Sequence, residues 1–81
     1  MYSDERIIIQ RVIENYVRTG AVMDEHVNVT ILAENKTSAM EKVGGESRSV
    51  MLDEYKVDDV KVWSGYSARS KMVYLSIAKH N

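Results

Sequence analysis

Apolar and polar positions change rhythm several times along this chain, and each change marks an element. From Ser3 to Thr19, Ile9, Val12, Ile13, Tyr16 and Val17 recur at i, i+3, i+4, i+7 and i+8, one apolar stripe of a helix. Ser3 suits the N-cap, Asp4 and Glu5 suit the positive end of the helix dipole, and Gly20 follows as a stop. Ile7 breaks the stripe: at 100° per residue it lies roughly 160° from Ile9, so it faces solvent or a second contact such as a dimer seam.

The rhythm then shortens to two. Val27, Val29, Ile31 and Ala33 alternate with His26, Asn28, Thr30 and Leu32, which predicts a strand with one buried face. Leu32 on the other face implies that this side is partly covered as well. After Glu34 the alternation stops. Ser38-Ala39-Met40-Glu41 fits a capping box, and Ala39, Met40 and Val43 form an apolar patch at helical spacing, so a two-turn helix ending at Gly44 is expected.

Beyond Gly45 the chain reads as β structure. Ser49 to Val57 predicts a strand, and Val60, Val62 and Trp63 continue the pattern. The apolar register slips by one across Asp58-Asp59, which marks a turn or a bulge; Asp-Asp does not favour a tight type I′ hairpin. Ser64 to Ser70 reads as a loop by composition, and Lys71 to Lys79 as a strand with Val73, Leu75 and Ile77 on one face. The expected fold is α+β, in the order α-β-α-β-β-β. A mostly antiparallel sheet, its last three strands a meander, would lie against a long N-terminal helix.

Composition narrows the function. At 81 residues the chain is expected to be one domain, residues 1–81, with a small core. It has no cysteine, which removes disulfides and thiolate metal sites and gives oligomerisation more weight. Net charge is −1, so no global field draws the chain to nucleic acid or to an anionic membrane. The longest apolar runs, Ile7-Ile8-Ile9 and Ala21-Val22-Met23, are far too short to span a bilayer. The opening MYSDER lacks a basic, apolar export signal, so the two glycosylation sequons at Asn28 and Asn35 read as chance and a cytoplasmic location is expected.

Candidate chemistry is sparse. Asp24-Glu25-His26, Asp53-Glu54 and Asp58-Asp59 gather potential ligands, but neighbours on an extended run point opposite ways and do not converge. His80, the second histidine, stands far from His26 in sequence. Gly65-Tyr66-Ser67-Ala68-Arg69 begins like a nucleophile elbow and carries arginine in place of its last glycine. No enzyme activity, cofactor or metal is expected.

Binding chemistry is better represented. From Val60 onward the chain carries Lys61, Arg69, Lys71 and Lys79 and no acid, with Trp63, Tyr66 and Tyr74 interleaved. Aromatic faces beside cations on a sheet are a means of gripping single strands. Exposed Met51, Tyr55, Met72 and Tyr74 would instead suit a protein contact. The leading expectation is a non-catalytic protein that binds a protein partner, a second copy of itself included. The candidate surface comprises Ile7, Lys61, Trp63, Tyr66, Arg69, Lys71 and Tyr74, and no membrane partner is expected. The alternative is a single-stranded nucleic-acid or RNA binder built on the basic, aromatic C-terminal strands.

The strand that runs into Ala33-Glu34-Asn35 and then Thr37-Ser38-Ala39 and Lys42-Val43 resembles a pattern found in small proteins of phages and other mobile elements. The resemblance covers a short part of the chain. It implies an accessory, inhibitory or host-modulating role and carries no catalytic residue.

Overall fold

The computed structural model of the chain describes residues 4–22 and 27–78. Helix α1 (Asp4–Thr19) is followed by six strands: β1 (Asn28–Ile31), β2 (Ser38–Val43), β3 (Glu46–Met51), β4 (Asp53–Val57), β5 (Val60–Ser67) and β6 (Met72–Ile77). The main sheet has the order β1-β6-β5-β4, and β2 and β3 form a separate two-stranded hairpin. The fold is therefore α+β, with the expected antiparallel meander β4-β5-β6 and a parallel β1 added at its edge.

Helix α1 lies on one face of the sheet. Its stripe residues Ile9, Val12 and Ile13 pack with Val57, Val62, Val73 and Leu75, and half-buried Tyr16 and Val17 extend the cluster. Gly20 ends the helix with a φ of 77°, and its amide donates to the Tyr16 carbonyl at 2.9 Å. This single bond is the left-handed helix stop that glycine permits without steric cost. Arg18 in the last turn donates from Nε to Asp58 Oδ2 at 2.9 Å, which ties the helix end to the β4–β5 turn. The Ser3 cap lies outside the described residues, as do Asp24, Glu25, His26, Lys79 and His80.

The opposite face is not open. The β2–β3 hairpin lies across it, and Ala39 and Leu52 pack with Tyr74, joined by Leu32, Val50, Trp63 and Met72. Three layers result: helix, sheet, hairpin. The cover on Leu32 agrees with its reading from the sequence.

Four local expectations are corrected. The helix expected from Ser38 is strand β2: Ala39 and Glu41 are buried while Ser38, Met40 and Lys42 are exposed, a period of two. Gly44 and Gly45 both have positive φ, 62° and 84°, and close a tight two-residue turn between Val43 and Glu46. A Gly-Gly pair is a hairpin signal because both central residues of such turns need φ above zero. Expected strand Ser49–Val57 is broken at Leu52, whose amide donates to the Thr37 carbonyl at 3.1 Å, so β3 serves the hairpin and β4 the main sheet. Asp58 and Asp59 form a tight turn with φ of 51° and 66°, the geometry Asp-Asp was not expected to take. The segment Ser64–Ser67, expected in a loop, completes β5, leaving the turn to residues 68–71.

Candidate functional site

Ser76 prepares the crossing from β1 to the hairpin. Its hydroxyl donates to the Ala33 carbonyl at 2.6 Å and accepts from the Lys36 amide at 2.9 Å. The Asn35 amide donates to the Ile77 carbonyl, and Asn35 itself takes the left-handed conformation at φ 62°. The connection is thus fastened to β6 before the chain turns over the sheet.

The densest chemistry in the molecule lies where the hairpin meets the β5–β6 turn. Alternation on β2 aims Glu41 inward, and its side chain is buried, with 8% of the residue exposed. Ser67, the last residue of β5, donates to Glu41 Oε2 at 2.6 Å. Ser70 in the turn and Tyr74 on β6 each donate to Oε1 at 2.9 Å. Arg69 flanks the group; it donates to the Val43 carbonyl at 3.1 Å and lies 3.8 Å from Glu46 of the same hairpin. Among the described residues no buried side-chain oxygen or nitrogen lacks a partner.

These contacts set the charge of the site. The hydrogen bond from Ser67, helped by Ser70, Tyr74 and the Arg69 charge, holds the Glu41 carboxyl below its ordinary range although burial works the other way. Burial, then the bond to Glu41, raises the Tyr74 phenol. The site therefore holds a carboxylate at neutral pH, with its lone pairs engaged by hydroxyls. Such a group is a weak general base, because the hydrogen bonds that favour its ionised form lower its affinity for a proton.

The sequence-derived site residues scatter. Trp63 and Tyr74 share the sheet face away from the helix, but the hairpin covers them; Tyr74 is buried and Trp63 half-buried. Tyr66 points to the opposite face and packs against the helix cluster. Arg69 and Lys71 belong to the β5–β6 turn, with Lys71 at φ 53°. Lys61 is exposed on β5 and lies 3.6 Å from Glu54. Ile7 is 61% exposed on the helix side away from the core. The structure brings together Arg69 and Tyr74, adding Glu41, Ser67 and Ser70. Expected Glu41 was a cap residue; once Gly44-Gly45 is read as a hairpin turn, alternation on β2 points it inward. Asp53, Glu54, Asp58 and Asp59 form no metal cluster; among the described residues no group of three or more acidic or histidine side chains could hold a metal ion.

Two surface features remain. Met40 and Met51 are 70% and 73% exposed on the outer face of the hairpin. Register pairs Met40 with Ser49 and Ser38 with Met51, so the two methionines are diagonal neighbours on one face. An open groove of about 390 Å³ lies near the end of α1, lined by Tyr16, Val17, Gly20, Val60 and Ile77. No described helix is long and apolar enough to cross a membrane. No protein-family model, no curated protein and no solved structure matches the chain.

Proposed function

We infer that this protein acts without catalysis, by binding a protein partner through the outer face of the β2–β3 hairpin. One observation carries the reading: Met40 and Met51 stand side by side, largely exposed, on a hairpin whose apolar inner residues Ala39 and Val50 are packed against the sheet. Methionine is polarizable and adaptable, and it is enriched in the cores of protein interfaces. Ser38, Lys42 and Ser49 surround the pair with polar groups, the pattern of a small apolar centre with a hydrated rim. Ile7 lies on a separate element and would serve a second contact, including one with another copy of the chain. The resemblance to small phage proteins makes an inhibitor or host-modulating factor the sharpest form of this reading.

The test compares capture from lysate by the native chain and by the double variant Met40→Glu, Met51→Glu. A protein retained by the native chain and lost by the folded variant is the expected result. Recovery of no protein, or of the same protein by both chains, contradicts it. Light scattering on the same two samples reports self-association: a species larger than the monomer in the native sample alone would identify a second copy as the occupant.

A further inference from the structure

The hairpin shares no hydrogen-bonded ladder with the main sheet; β2 and β3 pair only with each other. It also sits unusually close. A Cβ on Gly65 would fall 2.7 Å from the Met51 carbonyl oxygen and 2.9 Å from the Leu52 side chain. Beneath it, Gly65 lies directly opposite Tyr74 and Trp63 opposite Ser76, so the two aromatics are diagonal neighbours beside a bare strip of backbone.

The hairpin also supplies acids to the groups around that strip. Glu41 occupies the three hydroxyls of Ser67, Ser70 and Tyr74, and Glu46 faces Arg69. Strands β5 and β6 carry no acid themselves, and the one acid the sheet sets beside Trp63 is Glu54, opposite it on β4 and 3.6 Å from Lys61. Three hydroxyls converging on one carboxylate, with the charge of a nearby guanidinium, form a cradle that would receive a phosphate oxygen as readily as a carboxylate. The cover thus carries the charge and the geometry of a ligand for the face it hides.

We propose that the β2–β3 hairpin is a latched lid and that the covered face is a binding surface for single-stranded nucleic acid. When the lid swings away, Trp63 and the Tyr74 ring stack bases along the Gly65 strip. Ser67, Ser70 and Arg69 take a backbone phosphate at the place the Glu41 carboxylate vacates, with Lys61 and Lys71 at the ends. An acidic peptide would satisfy the cradle and leave the aromatic faces unused, so the aromatic pair favours bases over carboxylates. This surface is distinct from the outer methionine face and stands or falls separately from it.

A lid that is mostly closed weakens apparent affinity by the fraction of molecules that are open. The latch therefore predicts that weakening Glu41 strengthens binding. The experiment measures fluorescence anisotropy of a labelled oligothymidylate at low salt against the native chain, Glu41→Ala, and Glu41→Ala with Trp63→Ala. The folded single variant is expected to bind at least about tenfold more tightly than the native chain, as its open fraction rises. Its affinity should fall with added salt, and the Trp63 replacement should abolish the gain. Binding by Glu41→Ala no tighter than native, or displacement of the oligonucleotide by polyglutamate at equal or lower concentration, overturns the proposal. If Glu41→Ala does not fold, Glu41→Gln keeps the size of the side chain, removes the charge that the three hydroxyls hold and leaves the proposed phosphate donors intact. A smaller gain in the same direction is then expected, and no gain overturns the proposal.

Discussion

Glu41 is a carboxylate whose environment was selected by hydroxyls rather than by a cation. Ser67, Ser70 and Tyr74 each donate a hydrogen bond to it, and Arg69 adds charge at the rim. Because these bonds favour the ionised form, the folded carboxyl titrates below the unfolded one. Its contribution to stability is then complete above the ordinary carboxylate range, about pH 4 to 4.5. It is lost as the pH falls through the lowered folded value. Glu41→Gln removes the charge and should be less stable at neutral pH, while the gap to the native chain should narrow as the pH falls toward 3. Urea denaturation at a series of pH values measures this; a gap that stays constant or widens on acidification would show that Glu41 is not ionised in the fold. Arg18 and Asp58 form a second linked pair, exposed at the helix end, where solvent screening leaves little net stabilisation.

At the scale of elements, strand β5 shows how close packing replaces hydrogen bonding. Gly65 is buried, and its missing side chain lets the lid backbone rest on the sheet. Gly65→Ala places a methyl group against the Met51 carbonyl and Leu52, and overpacking of this kind costs about 1–3 kcal/mol. The loss is expected as a lower urea midpoint with an unchanged slope; stability equal to the native protein would mean that the lid is not seated there. The same stretch shows where reading the sequence succeeds and where it stops. The stripe on α1 was legible because it buries one face at one clear period; on β1 and β6 the alternation found the strands but not their burial, since Ile31 is 41% exposed and β6, between helix and hairpin, is buried on both faces. Segment 38–43 was not, because Ser38 and Glu41 satisfy a helix cap as well as a strand, and only the Gly44-Gly45 turn decides between them. Ser64–Ser67 reads as a loop by composition because its serines and Gly65 serve buried roles that composition cannot show: Ser64 donates to the Tyr74 carbonyl, and Ser67 to Glu41. The candidate site shares this limit. Arg69 and Tyr74 were visible as chemistry, but their convergence on Glu41 depends on pairings more than twenty-five residues apart.

For the whole molecule, the layers divide the labour. Helix and meander share one apolar cluster around Val62, Val73 and Leu75, while the lid rests on the smaller cluster of Ala39, Leu52 and Tyr74. A layer with few buried apolar side chains opens at lower free energy than the core it covers. Native-state hydrogen exchange tests this directly. The account predicts that amides of β2 and β3 exchange through an opening that leaves β5, β6 and α1 protected, and that Glu41→Gln speeds exchange in the lid alone. Equal protection of lid and meander, lost together at the same denaturant concentration in both proteins, would contradict it.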